Sequence, residues 1–417
     1  MPSPDQTPPP ADQPSAEVGS GGLVAVAMMV MNVLVYGFTL LSTRLLTPAE
    51  YGGLGALLGL MITAGVAALA LQATAARHLA NADAAARSAR ARTEIRTGIT
   101  LSVAVVAVLL AATPLITRVL DVSVTASVGM ALAMGPLTAL GTFSGILQGL
   151  AAWRWLAAVF LAFGVGRLFL GGAALFAGRS VAAATVGLAL AACAPALTAW
   201  WGTRRVLGKL PDGEAAQPAW RELWHNAHLL LGFFALTNLD VLVARAIFDE
   251  HLSGLYAAGA ILAKACLFLP QFVIIVAFPR MARDASREQG SKAWLLPLAL
   301  VGAIGAAVVL GTFVLRNLAV AFVGGNDYRG LTDFVWWFAL EGTLFALLQM
   351  AVYHQIARQA ARTVWWLWTA VAVVVAAAAV GAQALTPRRL LATVVLVTAC
   401  SLLALVRASR AEVVAAQ

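Results

Sequence analysis

Long apolar segments separated by short polar ones follow one another from residue 22 to residue 407. Each segment holds 19 to 25 residues, which at 1.5 Å per residue is enough to cross roughly 30 Å of hydrocarbon. The pattern predicts an all-α, polytopic membrane protein with about twelve transmembrane helices. The predicted spans are residues 22–43, 53–75, 98–119, 126–148, 156–177, 181–201, 227–248, 254–278, 293–315, 331–353, 364–385 and 389–407.

The composition agrees with a membrane protein. Hydrophobic residues make up 61% of the 417 residues and charged residues 11%, against roughly 45–50% and 25% in soluble domains. A net charge of +9 would suggest nucleic-acid binding in a soluble protein. Here the Lys and Arg residues lie in short runs between apolar segments, which indicates contact with an anionic membrane surface. We therefore expect membrane lipids as partners and no nucleic acid.

The distribution of Lys and Arg also predicts the orientation. With the amino terminus inside, the inner loops and ends carry eighteen of these residues and the outer loops carry seven. Because positive charge concentrates on the cytoplasmic side, we expect a multi-pass protein of the cell membrane with both termini in the cytoplasm. The proline-rich segment 1–21 has no Lys or Arg, so it lacks the basic region of a signal peptide.

An internal repeat divides the twelve predicted spans into two halves. A shift of 201 positions aligns four identical pairs: Arg44 with Arg245, Gly53 with Gly254, Leu54 with Leu255 and Ala56 with Ala257. Two six-helix bundles of the same orientation are parallel repeats, as in several transporter folds. The predicted organisation is a disordered tail 1–21, a first bundle 22–201, a cytoplasmic linker 202–226, a second bundle 227–407 and a cytoplasmic tail 408–417.

The loops leave no room for a soluble catalytic domain. The longest are about 20–25 residues, too short to fold alone. The sequence contains no Gly-Lys-Ser/Thr phosphate loop, no Ser-His-Asp arrangement and no His/Cys cluster with metal-ligand spacing. We therefore expect a protein that is not an enzyme and has no resident cofactor or metal ion.

Four ionisable residues lie near the predicted bilayer midplane: Arg167, Asp240, Lys264 and Glu341. Each is eight to ten residues from the outer end of its span, which places it roughly 12–15 Å deep. Charges at this depth are costly and mark functional sites by default. Asp240 and Lys264 lie level on sequential antiparallel spans and are predicted to pair. The set indicates either a hydrated cavity that binds an anionic head group and a coupling ion, or ion pairs that fix helix packing.

Other polar residues are further candidates for the same cavity. The amides at depth are Asn32, Gln72, Asn238, Gln271 and Gln349. Amides in membrane helices also bind neighbouring helices together, so both interpretations stay open. Arg44 and Arg245 lie near the ends of their spans, where a long side chain can extend to the membrane interface.

Two stretches of the chain resemble a known family. Residues 43–54, TRLLTPAEYGGL, resemble the Arg-x-Leu-x-x-x-(Asp/Glu)-Tyr-Gly element of the polysaccharide flippases. These form the Wzx-like branch of the multidrug/oligosaccharidyl-lipid/polysaccharide exporter (MOP) superfamily. In the second half, the succession NLDVLV, GLYAA, Leu-Pro and Phe-Pro-Arg is similar to the start of the second bundle in that group. These segments are residues 238–243, 254–258, 269–270 and 278–280.

The resemblance implies an alternating-access transporter that moves an undecaprenyl-diphosphate-linked oligosaccharide from the inner to the outer leaflet for surface polysaccharide biosynthesis. It implies a cationic cavity that receives the sugar-diphosphate head group, and glycan-assembly enzymes as partners. Asp240 and Glu341 become candidates for coupling to H⁺ or Na⁺. Carried onto this chain, the substrate-binding candidates are Arg167, Lys264, Arg245, Arg44, Gln72, Asn238 and Gln271.

Three other classes compete with this interpretation. An ion-coupled multidrug antiporter of the same superfamily would call for uncompensated acidic groups and aromatic faces in its cavity, and Arg167 and Lys264 argue against it. A glycan polymerase or ligase would be expected to carry a large, charged outer loop, whereas residues 316–330 hold three charged residues. A non-transporting scaffold would not need buried charges in both halves. The antiporter remains the principal alternative.

Overall fold

A computed structural model shows the fold of the chain. It describes residues 14–83, 86–208, 220–268, 295–357, 363–381 and 384–415. Within these ranges the regular structure is helical and contains no strand, which confirms the predicted all-α class. Among the described residues, eleven helical segments are long and apolar enough to span a bilayer, and a shorter apolar helix covers Trp365–Gly381. Each of the twelve overlaps one predicted span, so the chain is a multi-pass membrane protein.

The helices follow the two halves of the repeat. The first half contains α1 Pro14–Leu45, α2 Pro48–Ala64, α3 Val66–Ala80, α4 Arg87–Ala111, α5 Thr113–Leu120, α6 Val124–Gly149, α7 Trp153–Val165, a π-helix Gly166–Gly171, α8 Gly172–Gly178 and α9 Val181–Leu207. The second half contains α10 Trp220–Ile247, α11 Glu250–Phe268, α12 Leu295–Val314, α13 Arg316–Val323, a 3-10 helix Asn326–Leu331, α14 Val335–Ala357, α15 Thr363–Gly381 and α16 Pro387–Ala415.

Several helices extend beyond the predicted apolar spans. Helix α1 begins at Pro14, inside the predicted tail, and α16 continues to Ala415 at the other end of the chain. A helix satisfies its own backbone in water as well as in lipid, whereas the apolar pattern marks only its membrane-buried part. Proline is also well tolerated in the first turn of a helix. Residues 209–219 of the predicted linker and residues 279–292 of a predicted basic loop lie outside the described residues.

The two halves are built around equivalent central helices. In the first half α6 packs against α3, α4 and α9, and in the second half α14 packs against α11, α12 and α16. Both central helices are the fourth span of their half. Glycine permits the close packing of α6, because a Cβ atom at Gly141 or Gly145 would collide with the carbonyl oxygen of Ala68 or Gln72 on α3.

The halves meet where α2 packs against α11, two helices that are equivalent in the repeat. A Cβ atom at Gly55 would lie 2.8 Å from the Cβ atom of Ala257, and one at Gly254 would collide with the carbonyl oxygen of Pro48. A Cβ atom at Gly52 would lie 2.9 Å from the backbone nitrogen of Gly254. We call the contact of Gly52, Gly55 and Gly254 the glycine seam. The end of the molecule that carries it, the seam end, is the end predicted to face outside.

The family-like stretch of residues 43–54 begins helix α2 and leads into this seam. Thr47 is the N-cap residue, and its backbone nitrogen donates a 3.0 Å hydrogen bond to Glu50 Oε2. The Thr47 hydroxyl oxygen in turn accepts from the Glu50 backbone nitrogen at 3.3 Å, which completes a capping box. Pro48 occupies the first turn. The motif therefore has a structural function: it starts the helix that joins the two halves.

Candidate functional site

The four ionisable residues predicted at the midplane are neighbours in the structure. Lys264 on α11 interacts electrostatically with Asp240 on α10, with Glu341 on α14 and with Arg167 on the π-helix. We call these four residues the central charge cluster. Arg167 comes from the first half of the chain and the other three from the second. The fold therefore brings together side chains that share one predicted depth.

Arg167 is positioned by the π-helix Gly166–Gly171. Helices of this type are rare and occur frequently at functional sites. The guanidinium carbon lies 5.4 Å from the centre of the Phe38 ring on α1, and the half-buried side chain lines a small cavity together with Met61 and Phe163. Its Nε atom has no hydrogen-bond partner among the described residues. Arg167 is thus a cation at membrane depth that retains donor capacity for a ligand.

The predicted ion pair between Asp240 and Lys264 is not formed. Lys264 Nζ instead donates a 2.8 Å hydrogen bond to Asn238 Oδ1. Successive residues in an α-helix are about 100° apart, so the side chains of Asn238 and Asp240 leave α10 about 160° apart. Lys264 forms its hydrogen bond with Asn238 and interacts with Asp240 only electrostatically. The Asn238 amide is fixed by its own donation to Phe234 O at 2.8 Å, which orients its oxygen toward the lysine.

Both carboxylates of the cluster are sealed inside the second half. Asp240 is 2% exposed and Glu341 is 0% exposed. Within the described residues, Asp240 Oδ1 and both Glu341 carboxylate oxygens have no hydrogen-bond partner. Tyr256, which the sequence analysis did not single out, interacts electrostatically with both, and its ring packs edge-on against Phe338 at 5.0 Å. Burial of a carboxylate is costly unless a neighbouring charge compensates it, and Lys264 is a cation that interacts with both.

Exposure separates the positive members of the cluster from the negative ones. Arg167 and Lys264 are half-buried, whereas Asp240 and Glu341 are fully buried. The formal charges of the four side chains cancel, yet the part that a ligand can reach is cationic. This distribution suits the binding of an anion and cannot be recognised from a count of charges in the sequence.

The amides predicted to line the cavity have different environments. Asn238 belongs to the cluster through its bond to Lys264. Gln72 on α3 donates a 3.1 Å hydrogen bond to Gln148 on α6 and so joins two helices of the first half. Asn32 is half-buried on α1 and Gln349 is buried on α14. The remaining candidate, Gln271, lies outside the described residues.

Arg44 and Arg245 lie at the seam end and are not part of the central charge cluster. Arg245 is 8% exposed and donates to the backbone carbonyls of Leu120 and Asp121 at 2.7 and 2.8 Å. Arg44 is exposed and donates to Ala321 O at 2.6 Å. Each arginine thus extends into the opposite half of the chain rather than along the membrane interface. The structure brings neither of them to the other substrate-site candidates among the described residues.

A further ionisable group lies at the opposite end of the molecule, where α3 ends and α4 begins. His78 Nδ1 and Glu94 Oε1 are 2.6 Å apart, and Arg90 Nε is 3.7 Å from the same oxygen. Sequence spacing does not predict this group, because His78 and Glu94 are sixteen positions apart and come into contact only when α3 and α4 pack against each other. They add polar contacts between α3 and α4.

Comparisons with known proteins support the fold. No protein-family model and no curated protein matches the chain. An inward-facing multidrug resistance MATE family transporter of the MOP superfamily has a TM-score of 0.75 and 10% identity, over 96% of this chain and 98% of that one. The lipid II flippase MurJ, in an inward closed conformation, has a TM-score of 0.71 and 11% identity, over 93% and 87% of the two chains.

A third structure has the same fold. It is a MOP superfamily transporter from Pyrococcus furiosus, whose binding pocket is described as having reverse polarity, with a TM-score of 0.58 and 13% identity over 96% of both chains. All three are transporters or flippases rather than enzymes. At these identities the comparisons show that the chain has the fold of MOP superfamily transporters. Membership of the Wzx-like branch stays a prediction.

Proposed function

We propose that this chain is an alternating-access transporter that moves an undecaprenyl-diphosphate-linked oligosaccharide from the inner to the outer leaflet. The observation that carries the proposal is the separation of charge in the central cluster, where Arg167 and Lys264 are partly exposed and both carboxylates are buried. An accessible cationic pair at the midplane suits a diphosphate, which presents several anionic oxygens. The resemblance of residues 43–54 to the polysaccharide flippases adds support.

The two cations contribute in complementary ways. The planar guanidinium of Arg167 suits bidentate binding of one phosphate group. The ammonium of Lys264 has three donors and uses one on Asn238, which leaves two for a second phosphate. Because Arg167 belongs to the first half and Lys264 to the second, a bound diphosphate would connect the two halves. Binding of the head group would then favour one relative position of the halves over another, as alternating access requires.

We propose that the buried carboxylates serve ion coupling. Asp240 and Glu341 lie behind the lysine, and their unpartnered oxygens suit a proton or a cation. Uptake or release of a positive charge there would change the electrostatic balance at Lys264, which interacts with both groups. The proposed coupling ion is H⁺ or Na⁺.

The alternative function is an ion-coupled multidrug antiporter. The pairing of buried carboxylates with the aromatic rings of Tyr256 and Phe338 favours this second candidate, because organic cations bind to acidic and aromatic groups. The poor accessibility of the two carboxylates argues against this function. Asp240 and Glu341 are 2% and 0% exposed, and an entering cation would meet Arg167 and Lys264 first. The two functions therefore differ in which members of the cluster meet the substrate.

The proposed cellular context follows from the sequence. We propose that the protein lies in the cell membrane with both termini in the cytoplasm, because eighteen Lys and Arg residues lie on that side and seven on the other. Glycan-assembly enzymes that build the lipid-linked oligosaccharide on the inner leaflet would be its functional partners. Membrane lipids surround the transmembrane helices.

Deletion of the gene in its own organism tests the proposed function. We expect surface glycan to be lost and the lipid-linked oligosaccharide to accumulate on the inner leaflet, because synthesis continues while translocation stops. Both amounts would be measured in the same cells together with sensitivity to cationic drugs. Rescue by the wild-type gene is the control. Unchanged glycan with increased drug sensitivity would reject the flippase and support the antiporter.

A further inference from the structure

Arg245 connects the second half of the chain to the end of a short helix in the first half. Its Nε and Nη2 atoms donate to Leu120 O at 2.7 Å and Asp121 O at 2.8 Å. Leu120 is the last residue of α5, so its carbonyl has no partner within the helix. A cation at this position also faces the negative end of the helix dipole. Arg245 therefore caps a helix of the opposite half.

The same guanidinium reaches the glycine seam. Its Nη1 atom donates to Ala49 O at 3.3 Å and to Ser253 Oγ at 3.2 Å, at the beginnings of α2 and α11. The Asp121 carboxylate, which is largely exposed, is 3.9 Å from Nη2. All the hydrogen-bond acceptors are neutral oxygens, and those at Leu120, Asp121 and Ala49 belong to the first half. One buried arginine thus ties the two halves together beside the seam.

Arg44, the repeat equivalent of Arg245, makes the reciprocal connection. It extends from the first half to the last turn of α13 in the second half, where Nη2 donates to Ala321 O at 2.6 Å. The neighbouring Thr43 hydroxyl donates to Val323 O at 2.7 Å, and Val323 is the last residue of α13. Helices α5 and α13 are themselves equivalent, since each has eight residues and follows the third span of its half.

We propose that Arg44 and Arg245 are reciprocal latches that hold the seam end closed and release when the transporter opens to that side. Neutral carbonyls suit this role, because water can replace the arginine on each carbonyl when the halves separate. A buried ion pair would be far more costly to break. This inference rests on the alternating-access part of the proposed function and is independent of the substrate.

A distance measurement across the seam end tests the latches without any substrate. Spin labels would be attached at Val124→Cys in the first half and Leu318→Cys in the second, both at exposed positions, in a chain whose native cysteines are replaced by alanine. We expect mainly short distances in the parent protein. Because a hydrogen bond from a charged donor contributes about a factor of ten or more, Arg44→Gln should raise the ratio of long to short distances at least about tenfold, and Arg245→Gln further. The exposed Arg316→Gln on α13 is the matched control.

The exposed position of Arg44 keeps the test decisive, because Arg44→Gln removes little buried structure even if Arg245→Gln lowers the yield of folded protein. Long distances in either arginine variant, with the control unchanged, would support the latches. Unchanged distances in Arg44→Gln and in the Arg44→Gln/Arg245→Gln double variant would overturn the proposal and make both side chains static packing. The experiment measures conformation and uses no substrate. If the lipid-linked oligosaccharide proves not to be the substrate, the distances still test the latches. If the latches are wrong, the substrate proposal is unaffected.

Discussion

Replacement of Arg167 by alanine is expected to abolish transport of the lipid-linked oligosaccharide while the amount of protein in the membrane stays normal. A hydrogen bond to a charged group contributes about 1.5–3 kcal/mol, so head-group binding should weaken at least about tenfold. Folding should be little affected, because Arg167 Nε has no partner within the described residues and the variant loses mainly the contact with Phe38. Surface glycan and membrane abundance would be measured in a complemented deletion strain.

Two further variants sharpen this prediction. Arg154→Ala removes an exposed arginine from the beginning of α7, the helix that continues into the π-helix of Arg167, and should leave transport unchanged. Arg167→Lys keeps the charge but loses the planar, bidentate geometry, so we expect partial activity. A loss of membrane abundance in Arg167→Ala would instead identify the arginine as a packing residue and contradict its assignment to the head group.

Replacement of Lys264 by methionine is expected to be the most destabilising single change in the central charge cluster. It leaves Asp240 and Glu341 buried without a compensating cation and leaves the Asn238 oxygen without its 2.8 Å donor. A buried acceptor left without its donor costs about 1–3 kcal/mol, and the two buried carboxylates also lose their favourable electrostatic interaction with the lysine. We therefore expect a clearly lower melting temperature for the purified protein in detergent.

A second substitution should reverse part of this loss. Glu341→Gln in the Lys264→Met background removes one of the stranded negative charges, so the double variant should melt at a higher temperature than Lys264→Met alone. Together with the wild-type protein, Lys264→Met and the double variant, Glu341→Gln alone completes a double-mutant cycle, which measures the coupling between the two residues. If the two substitutions contribute independently, the lysine and the glutamate are not energetically coupled and the cluster is not a single unit.

Much of the architecture follows from one-dimensional properties of the chain. The length of each apolar segment predicts the spans, and the distance of a residue from the end of its span predicts its depth in the membrane. The sequence alone therefore places Arg167, Lys264 and Glu341 at the same depth. The repeat also follows from sequence, through Arg44 and Arg245. These features depend on position along a helix axis, which is obtained directly by counting residues in the sequence.

Features that depend on rotation about the helix axis could not be predicted in this way. The direction of each side chain decides that Lys264 bonds to Asn238 rather than to Asp240, and that the carboxylates are sealed while the cations stay accessible. The π-helix around Arg167 leaves the apolar pattern intact, so periodicity does not reveal it. The contacts of Arg44 and Arg245 with helix ends in the opposite halves require both halves to be assembled.

Reconstitution of the purified protein into liposomes tests whether its anion-binding site translocates a diphosphate lipid. A fluorescent undecaprenyl-diphosphate-linked glycan and a fluorescent organic cation would be followed in parallel, with a membrane-impermeant quencher reporting which leaflet holds the lipid. We expect the wild-type protein to exchange the lipid between leaflets, Arg167→Ala to fail to do so, and neither protein to move the cation. Transport of the cation by the wild-type protein without movement of the lipid would contradict this expectation.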